Sequence, residues 1–139
     1  MNRRTMNRRE AREHIFKLVY LGEFHDPREF ARQCDAYLAG QEELTDEDRQ
    51  EVLAKAEAVF VRKDEIDETL NRLSEGWKTN RMNRVDHAVL RLAVYEILYD
   101  DAIPEKVAVN EAVELAKGFG GDDSPAFVNA ILGKLLREK

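Results

Sequence analysis

Apolar residues recur every three or four positions along most of the chain, which is the spacing of an amphipathic α-helix. Strict alternation of apolar and polar residues, the pattern of a half-buried β-strand, is not found. The pattern separates into seven segments, so we predict an all-α fold of about seven helices in a bundle-like arrangement. Their approximate bounds are 7–21, 27–39, 46–60, 64–76, 85–99, 104–117 and 125–136.

Residues that favour helix ends support these bounds. Gly22 and Gly40 follow the first two segments, where glycine commonly ends a helix. Pro27 and Pro125 suit a first helical turn, because the missing N–H of proline has no helical partner there. Thr45 precedes a run of acids and is predicted to cap the third helix.

A polar, basic connection at residues 78–84 divides the chain into two helical halves, about 7–76 and 80–139. We predict that these are two small subdomains sharing one core within a single domain, 1–139, since a chain of this length usually forms one domain. The helix at 85–99 is apolar on most of its sides. Such a helix is typical of the buried centre of a bundle.

Charge is distributed unevenly along the chain. The 139 residues carry a formal net charge of −6, which by itself disfavours a nucleic-acid binder. However, residues 1–12 contain five arginines and one acid, Glu10, so this segment carries +4 and the remainder −10. A nucleic-acid binder needs a positive electrostatic field at the binding surface, and the rest of the protein can be acidic. The N-terminus is therefore a candidate anion-binding segment. A merely solvated basic tail is the other interpretation.

Few residues suggest catalysis. Cys34 is the single cysteine, which excludes an internal disulfide and a zinc-cysteine framework. The three histidines, His14, His25 and His87, fall in separate elements without metal-ligand spacing, and we expect each to be a surface or partly buried polar residue. No apolar run approaches the length of a membrane span. We therefore expect a cytoplasmic protein that is not an enzyme and has no cofactor, metal or membrane contact.

The first predicted helix interleaves arginines with aromatic rings. At about 100° per residue its core stripe centres near Ile15, while Arg9, Arg12, Phe16 and Tyr20 fall on an adjoining flank. Arginine binds phosphates, and exposed aromatic rings stack on unpaired bases. Phe16 is better explained as a core residue. Tyr20 suits either core packing or base stacking, because its hydroxyl can remain in contact with water at the edge of the core.

The last predicted helix offers a second aromatic candidate, Phe127, at the edge of its core stripe. This ring could pack inward or stand beside the free N–H groups of the helix start, which suit phosphate. Asp122 and Asp123 precede that start and would oppose a nearby phosphate, so a simple anion site is not expected there.

Four stretches of the chain resemble the NusB family of transcription antitermination factors. The residues Asn-Arg-Arg-Glu-Ala-Arg-Glu at 7–13, followed by Tyr20, are similar to the family's arginine-rich start. Residues 84–96 resemble its central helix, 103–117 its most recognisable stretch, and 127–132 the start of its last helix. The resemblance covers the whole chain and is most specific across 84–132.

The resemblance implies a seven-helix fold and binding of boxA, a single-stranded leader RNA of ribosomal RNA operons. It implies partnership with NusE, a small-subunit ribosomal protein, and joint action with NusA, NusG and RNA polymerase to suppress premature termination. We expect Asp86, and the helix that it begins, to face NusE. The residues expected to contact RNA are Arg3, Arg4, Arg8, Arg9, Arg12, Tyr20 and Phe127.

The chain departs from the family pattern at two positions. Glu10 interrupts the arginine run, and Ala126 replaces a basic residue often found before the phenylalanine, so the phosphate field is weaker than usual. Two questions stay open at this point. The protein could instead be a helical protein–protein adaptor without direct RNA contact, and it could be a monomer or a homodimer.

Overall fold

The computed structural model describes residues 6–75 and 78–139. Within these ranges the chain is helical without strands, so the predicted all-α class and the seven α-helices are confirmed. A single 3₁₀ turn, Thr79–Arg81, lies between the fourth and fifth of them. The helices are α1 (Arg8–Leu21), α2 (Pro27–Ala39), α3 (Asp46–Val61), α4 (Lys63–Leu73), α5 (Arg84–Tyr99), α6 (Glu105–Phe119) and α7 (Ser124–Glu138).

Side chains cap the helix starts much as the sequence predicts. Thr45 Oγ1 accepts a hydrogen bond from the Asp48 backbone N–H at 3.0 Å, and the Asp48 carboxylate accepts one from the Thr45 N–H at 3.2 Å. This reciprocal pair satisfies two backbone donors that the helix itself leaves open. Three other helices begin with a side-chain oxygen that accepts from the backbone three residues on, at Asn7, Asp26 and Asn83.

The chain forms two compact units, residues 1–60 and 61–139. These compact units divide at Phe60/Val61, whereas the sequence predicts helical halves of about 7–76 and 80–139. The polar connection at 78–84 belongs to the second unit. The Thr79 N–H donates to the Asn71 side chain of α4 at 2.8 Å, and Met82 is only 5% exposed.

The first unit is built on the packing of α1 against α2. Phe16 is 3% exposed, so it belongs to the core, as its sequence position favoured. The ring of Phe30 in α2 stacks on that of Phe60 in α3 with centroids 4.1 Å apart. The buried apolar residues of α1 and α2 are Ile15, Phe16, Leu18, Val19, Phe30, Cys34 and Leu38.

The second unit is organised around α5, which contacts α4, α6 and α7. Its apolar residues are buried on most sides, as predicted for a central helix. It also buries charged side chains that periodicity does not predict. His87, expected at or near the surface, is 5% exposed because Asp67 of α4 supplies a partner 2.7 Å from its Nε2. Arg91, one helical turn on, binds both oxygens of the same carboxylate at 3.0 and 2.6 Å.

Candidate nucleic-acid interface

The first turn of α1 carries the exposed part of the arginine cluster. Arg8 and Arg9 are exposed, whereas Arg12 is only 7% exposed. A guanidinium that lies against protein cannot present its donors to a ligand as openly as one in solvent. Arg3 and Arg4 lie outside the described residues. The structure therefore distinguishes Arg8 and Arg9, as accessible cations, from Arg12.

A row of aromatic rings continues along the same element. Tyr20 is half-buried, and its ring lies 6.2 Å from the buried Phe16 ring and 5.1 Å, edge to face, from the Phe24 ring. Phe24 itself is 53% exposed. Such contacts fix the Tyr20 ring while leaving part of it accessible. Tyr20 thus lies between a core ring and a surface ring, which is the boundary position that its sequence pattern allowed.

The second unit contains a cavity of about 500 Å³ at the starts of α5 and α7. The cavity brings Phe127, expected to contact RNA, together with Asp86, expected to face the protein partner. Its walls come from the 3₁₀ turn, the first turns of the two helices and the loop before α7. The lining residues are Arg81, Asn83, Asp86, Gly121, Asp122, Asp123, Ser124 and Phe127.

Asp86 is held in the cavity wall by the cap of α5. Asn83 Oδ1 accepts from the Asp86 backbone N–H at 2.8 Å, and Asn83 Nδ2 donates to Asp86 Oδ2 at 3.0 Å. The side chain is 6% exposed. The other oxygen, Oδ1, is buried and has no hydrogen-bond donor among the described residues. A buried carboxylate oxygen without a donor is costly and uncommon, and a bound water or another small donor is the usual way to satisfy it.

Phe127 lies in the first turn of α7 and lines the same cavity. Ser124 is 3% exposed, and its Oγ accepts from the Gly121 N–H at 3.0 Å, which fixes the loop before the helix. Phe127 is half-buried and lines the cavity beside the start of α7, so its ring is partly packed and partly accessible. Asp122 and Asp123 are exposed beside it. Their charges oppose a phosphate within the cavity, as the sequence indicated.

Sequence reasoning missed two residues that the structure places beside its candidates. Phe24 follows Tyr20 by four positions, the spacing of helical neighbours, but it lies beyond the Gly22 helix end and was not considered. Arg81 lines the cavity beside Phe127, although the connection 78–84 was treated only as a linker. The sequence signal for both was present: an aromatic at i+4, and a basic residue in a polar connection.

The predicted RNA-contacting residues that are described thus fall into two groups. Arg8, Arg9, Arg12 and Tyr20 share α1 in the first unit, and Phe127 lies in the cavity of the second unit with Asp86. Each group is a local surface with its own chemistry. The first offers cations and rings, and the second offers carboxylates and one ring.

The histidines His14 and His87 take part in local hydrogen bonds. His14 Nδ1 lies 2.7 Å from the Tyr37 hydroxyl, and His87 pairs with Asp67. Across residues 6–75 and 78–139, no group of three or more His, Cys, Asp or Glu side chains is arranged to hold a metal ion. In the same ranges, none of the helices has the length and apolar character needed to cross a membrane.

Comparisons with known proteins agree along nearly the whole chain. The model of the NusB family matches residues 9–137. A transcription antitermination protein NusB from Lachnoclostridium phytofermentans is 45% identical over 131 residues, which is 94% of this chain and 99% of that protein. The NusB of Agathobacter rectalis is 48% identical over 129 residues, which is 93% of this chain and 98% of that protein.

A solved structure supports the same relationship. NusB of T. maritima superposes with a TM-score of 0.83 at 30% identity, covering 97% of this chain and 94% of the other. Sequence and fold therefore agree over both units, and the chain belongs to the NusB family of transcription antitermination proteins.

Proposed function

We propose that the protein binds the boxA leader RNA of ribosomal RNA operons as a single strand, with α1 supplying the phosphate contacts. It acts together with NusE and joins NusA, NusG and RNA polymerase to suppress premature termination. Its role is to assemble these components without a catalytic step, in the cytoplasm where transcription takes place. The observation that carries the proposal is the pair of exposed arginines, Arg8 and Arg9, at the start of α1.

Electrostatics supports α1 as the phosphate-binding element. The chain carries −6 overall, so most of its surface repels RNA and a strand should associate where cations concentrate. Arg8 and Arg9 provide such a place. Arg12, buried at 7% exposure, is better suited to hold α1 in position than to bind phosphate itself. Glu10 lies between Arg9 and Arg12 in sequence, and its backbone N–H donates to the Asn7 side chain at 2.8 Å. Glu10 therefore helps to form the start of α1, while its negative charge weakens the positive field of the arginines.

Aromatic stacking adds a contribution that does not depend on charge. Arg9 and Tyr20 lie eleven residues apart on α1, roughly 17 Å along the helix axis, so a strand following the helix meets arginines first and rings later. Tyr20 and the more exposed Phe24 form an edge-to-face pair at 5.1 Å. Rings fixed in this way lose little side-chain entropy when a base stacks on them.

The protein partner belongs to the same proposal. The start of α5, where Asp86 lies, is expected to be near NusE in the complex. Phe127 shares a cavity with Asp86, so RNA and partner would meet around the second unit's cavity. A homodimer that covers α1 would compete with RNA. Size-exclusion chromatography with and without a boxA oligonucleotide distinguishes these states.

The test uses a boxA oligonucleotide and variants matched in charge. Replacing Arg8 and Arg9 together with Ala should weaken binding and flatten the dependence of log Kd on log salt by roughly 1.4, since each phosphate that is no longer neutralised lowers the slope by about 0.7. Arg12→Ala should change the slope less and lower thermal stability more. As a control, Arg28→Ala with Arg32→Ala removes the same charge from exposed positions on α2.

If the slope of log Kd against log salt were the same for the Arg8/Arg9 and Arg28/Arg32 double variants, the proposal would be contradicted. The arginines of α1 would then contribute no more to phosphate binding than exposed arginines elsewhere. Titrations should be repeated with NusE present. If bare RNA does not bind and a NusE pulldown survives RNase treatment unchanged, the protein is an adaptor, and the RNA-binding proposal is wrong.

A further inference from the structure

We propose that a groove between the end of α2 and α3 binds a basic amphipathic helix of a partner protein, which inserts one apolar side chain. This α2–α3 groove lies in the first unit and has a volume of about 250 Å³. It includes none of the arginines of α1 and none of the residues at the starts of α5 and α7, so the inference goes beyond the proposed function. The lining residues are Asp35, Leu38, Ala39, Arg49, Gln50 and Leu53.

The groove offers an apolar surface that is already in place. Leu38 is only 4% exposed and Leu53 is half-buried, so an apolar side chain that enters the groove meets hydrocarbon. Arg49 also lines the groove, but its guanidinium is engaged by neighbouring groups. Its Nε donates to the Leu38 carbonyl at 3.0 Å and its Nη2 to the Gln41 carbonyl at 2.7 Å. Its Nη1 pairs with Asp46 at 3.2 Å. These bonds tie α3 to the end of α2, so the groove keeps its shape without a ligand.

The size of the groove suits a single side chain. Sites for cofactors and small molecules usually measure about 300–1,000 Å³ and enclose most of the ligand. The α2–α3 groove is smaller, and Asp35, Ala39 and Gln50 are exposed, so it is open to solvent. In residues 6–75 and 78–139 there is no strand edge with which an extended peptide could pair. A helix that anchors itself by one leucine or methionine is therefore the best fit.

Charge around the groove determines which kind of helix fits. The α2–α3 connection and the start of α3, residues 41–51, contain six acids and one arginine, a net charge of −5. Five of these acids are exposed. The exposed arginines of α2, Arg28 and Arg32, precede the residues that line the groove. Phosphates of RNA or of a lipid surface would be repelled here, whereas lysines or arginines beside an apolar anchor would be attracted.

Both helices contribute acids to the same region. Asp35 lines the groove on α2, and Glu57 follows Leu53 by one helical turn on α3. The two carboxylates lie close enough to the buried Cys34 that their charges, after burial itself, raise the pKa of its thiol. A basic helix in the groove would therefore meet acids from α2 and α3 together. This complementarity favours a basic partner over an acidic or uncharged one.

The test uses synthetic helices as probes. The first is a fluorescently labelled peptide of alanine and lysine with leucines on one face, about 15 residues long, the length at which such helices become stable. A second peptide has serine in place of the central leucine, and a third has glutamate in place of every lysine. Fluorescence anisotropy measures the Kd of each peptide for the wild type and for the variants.

The variants test the apolar wall and the charge separately. Leu53→Asn makes the wall polar at similar size, and Leu136→Asn is its control at a half-buried position of α7. Asp35→Lys reverses a charge in the groove, and Glu68→Lys makes the same change at an exposed position of α4. Circular dichroism checks that each variant folds.

The wild type should bind the leucine probe roughly 10- to 150-fold more tightly than the serine probe, the ratio for burying one leucine side chain. The glutamate probe should not bind. Leu53→Asn should lose most of this ratio, and Asp35→Lys should weaken the leucine probe by about 2- to 5-fold. The two control variants should behave like the wild type. The probe series on the wild type tests the inference even if a variant folds poorly.

Three results would overturn the inference. Equal affinity of the wild type for the leucine and serine probes would show only that an acidic protein attracts lysines. Equal effects of Leu53→Asn and Leu136→Asn would remove the groove from the binding site. A dimer in size-exclusion chromatography that Leu53→Asn dissociates would make the groove an interface between two copies of this chain. None of these results bears on the arginines of α1, so boxA titration tests the proposed function separately.

Discussion

Asp67 provides a direct test of how the second unit is held together. Its carboxylate joins α4 to α5 by accepting hydrogen bonds from Arg91 at 3.0 and 2.6 Å, and it lies 2.7 Å from His87 Nε2. The Arg91 side chain is 10% exposed and that of His87 is 6% exposed. Replacing Asp67 with Asn would retain the shape while removing the charge and one acceptor.

The expected destabilisation follows from the burial of the groups left behind. Removing one partner of a buried ion pair costs about 3–5 kcal/mol, mostly because the other charge stays desolvated. The Asp67 side chain is 19% exposed, and an amide can still accept one bond, so we expect Asp67→Asn to lose about 2–4 kcal/mol. For a chain of this length that corresponds to a fall in Tm of roughly 10 °C.

The same residue predicts a pH dependence. Burial alone would raise the pKa of Asp67, but hydrogen bonds from His87 and Arg91 and the attraction of their charges outweigh burial and hold it below its ordinary value. Stabilisation from a depressed pKa is fully present above the unfolded-state value, about 3.9 for Asp. It is lost as the pH falls through the folded-state pKa. The difference in stability between the wild type and Asp67→Asn should therefore shrink below about pH 4.

Urea denaturation followed by circular dichroism at pH 7, 5 and 3.5 measures both effects. Glu68→Gln is the control, because Glu68 is an exposed acid next to Asp67 on α4. The m-value should be unchanged, so that a shifted midpoint reports stability alone. A loss below about 1 kcal/mol for Asp67→Asn, or a loss equal to that of Glu68→Gln, would refute the view that this network stabilises the unit.

Two further predictions use other parts of the chain. Gly120→Ala should destabilise the protein by about 1–3 kcal/mol, because a Cβ there would lie 2.5 Å from Ser124 Oγ. At Gly118 in α6 a Cβ would meet open space, so Gly118→Ala should stabilise the protein by up to roughly 1 kcal/mol. Comparing their melting temperatures tests this, and equal shifts would contradict it. Burial raises the pKa of the Cys34 thiol to about 12, so little reactive thiolate forms in the folded protein. Iodoacetamide at mildly alkaline pH should therefore modify Cys34 only after unfolding, and rapid labelling of the native protein would contradict this.

The helices of this fold were predictable because local signals agreed with one another. The cap at Thr45, Pro27 in a first helical turn and glycine ends at Gly22 and Gly40 mark the first helices in both sequence and structure. Each signal acts within a few residues, so it can be read without knowing the tertiary contacts. The apolar surround of α5 predicted its central position for the same reason.

What could not be predicted depends on contacts between distant residues. His87 and Arg91 are buried because Asp67, on the preceding α-helix, satisfies them, and nothing in helical periodicity identifies that partner. Arg12 had the spacing of a surface arginine but is buried. The pairing of Asp86 with Phe127 across one cavity is likewise a tertiary result, since these residues lie on different helices. Patterning identifies candidate residues, whereas packing decides which of them reach a ligand.

Charge and stacking should be separable in the proposed RNA contacts, because the candidate residues for each lie in different units. Arg8 and Arg9 are in the first unit and are proposed to set the salt slope, whereas Phe127 is an uncharged ring in the second. Replacing the two arginines with Ala should therefore flatten the slope. Phe127→Ala should weaken boxA binding by roughly 1–3 kcal/mol, the value of one stacked base, while leaving the slope unchanged. If Phe127→Ala flattened the slope as well, phosphate and stacking contacts would not be separate, and the assignment of different roles to α1 and Phe127 would be wrong.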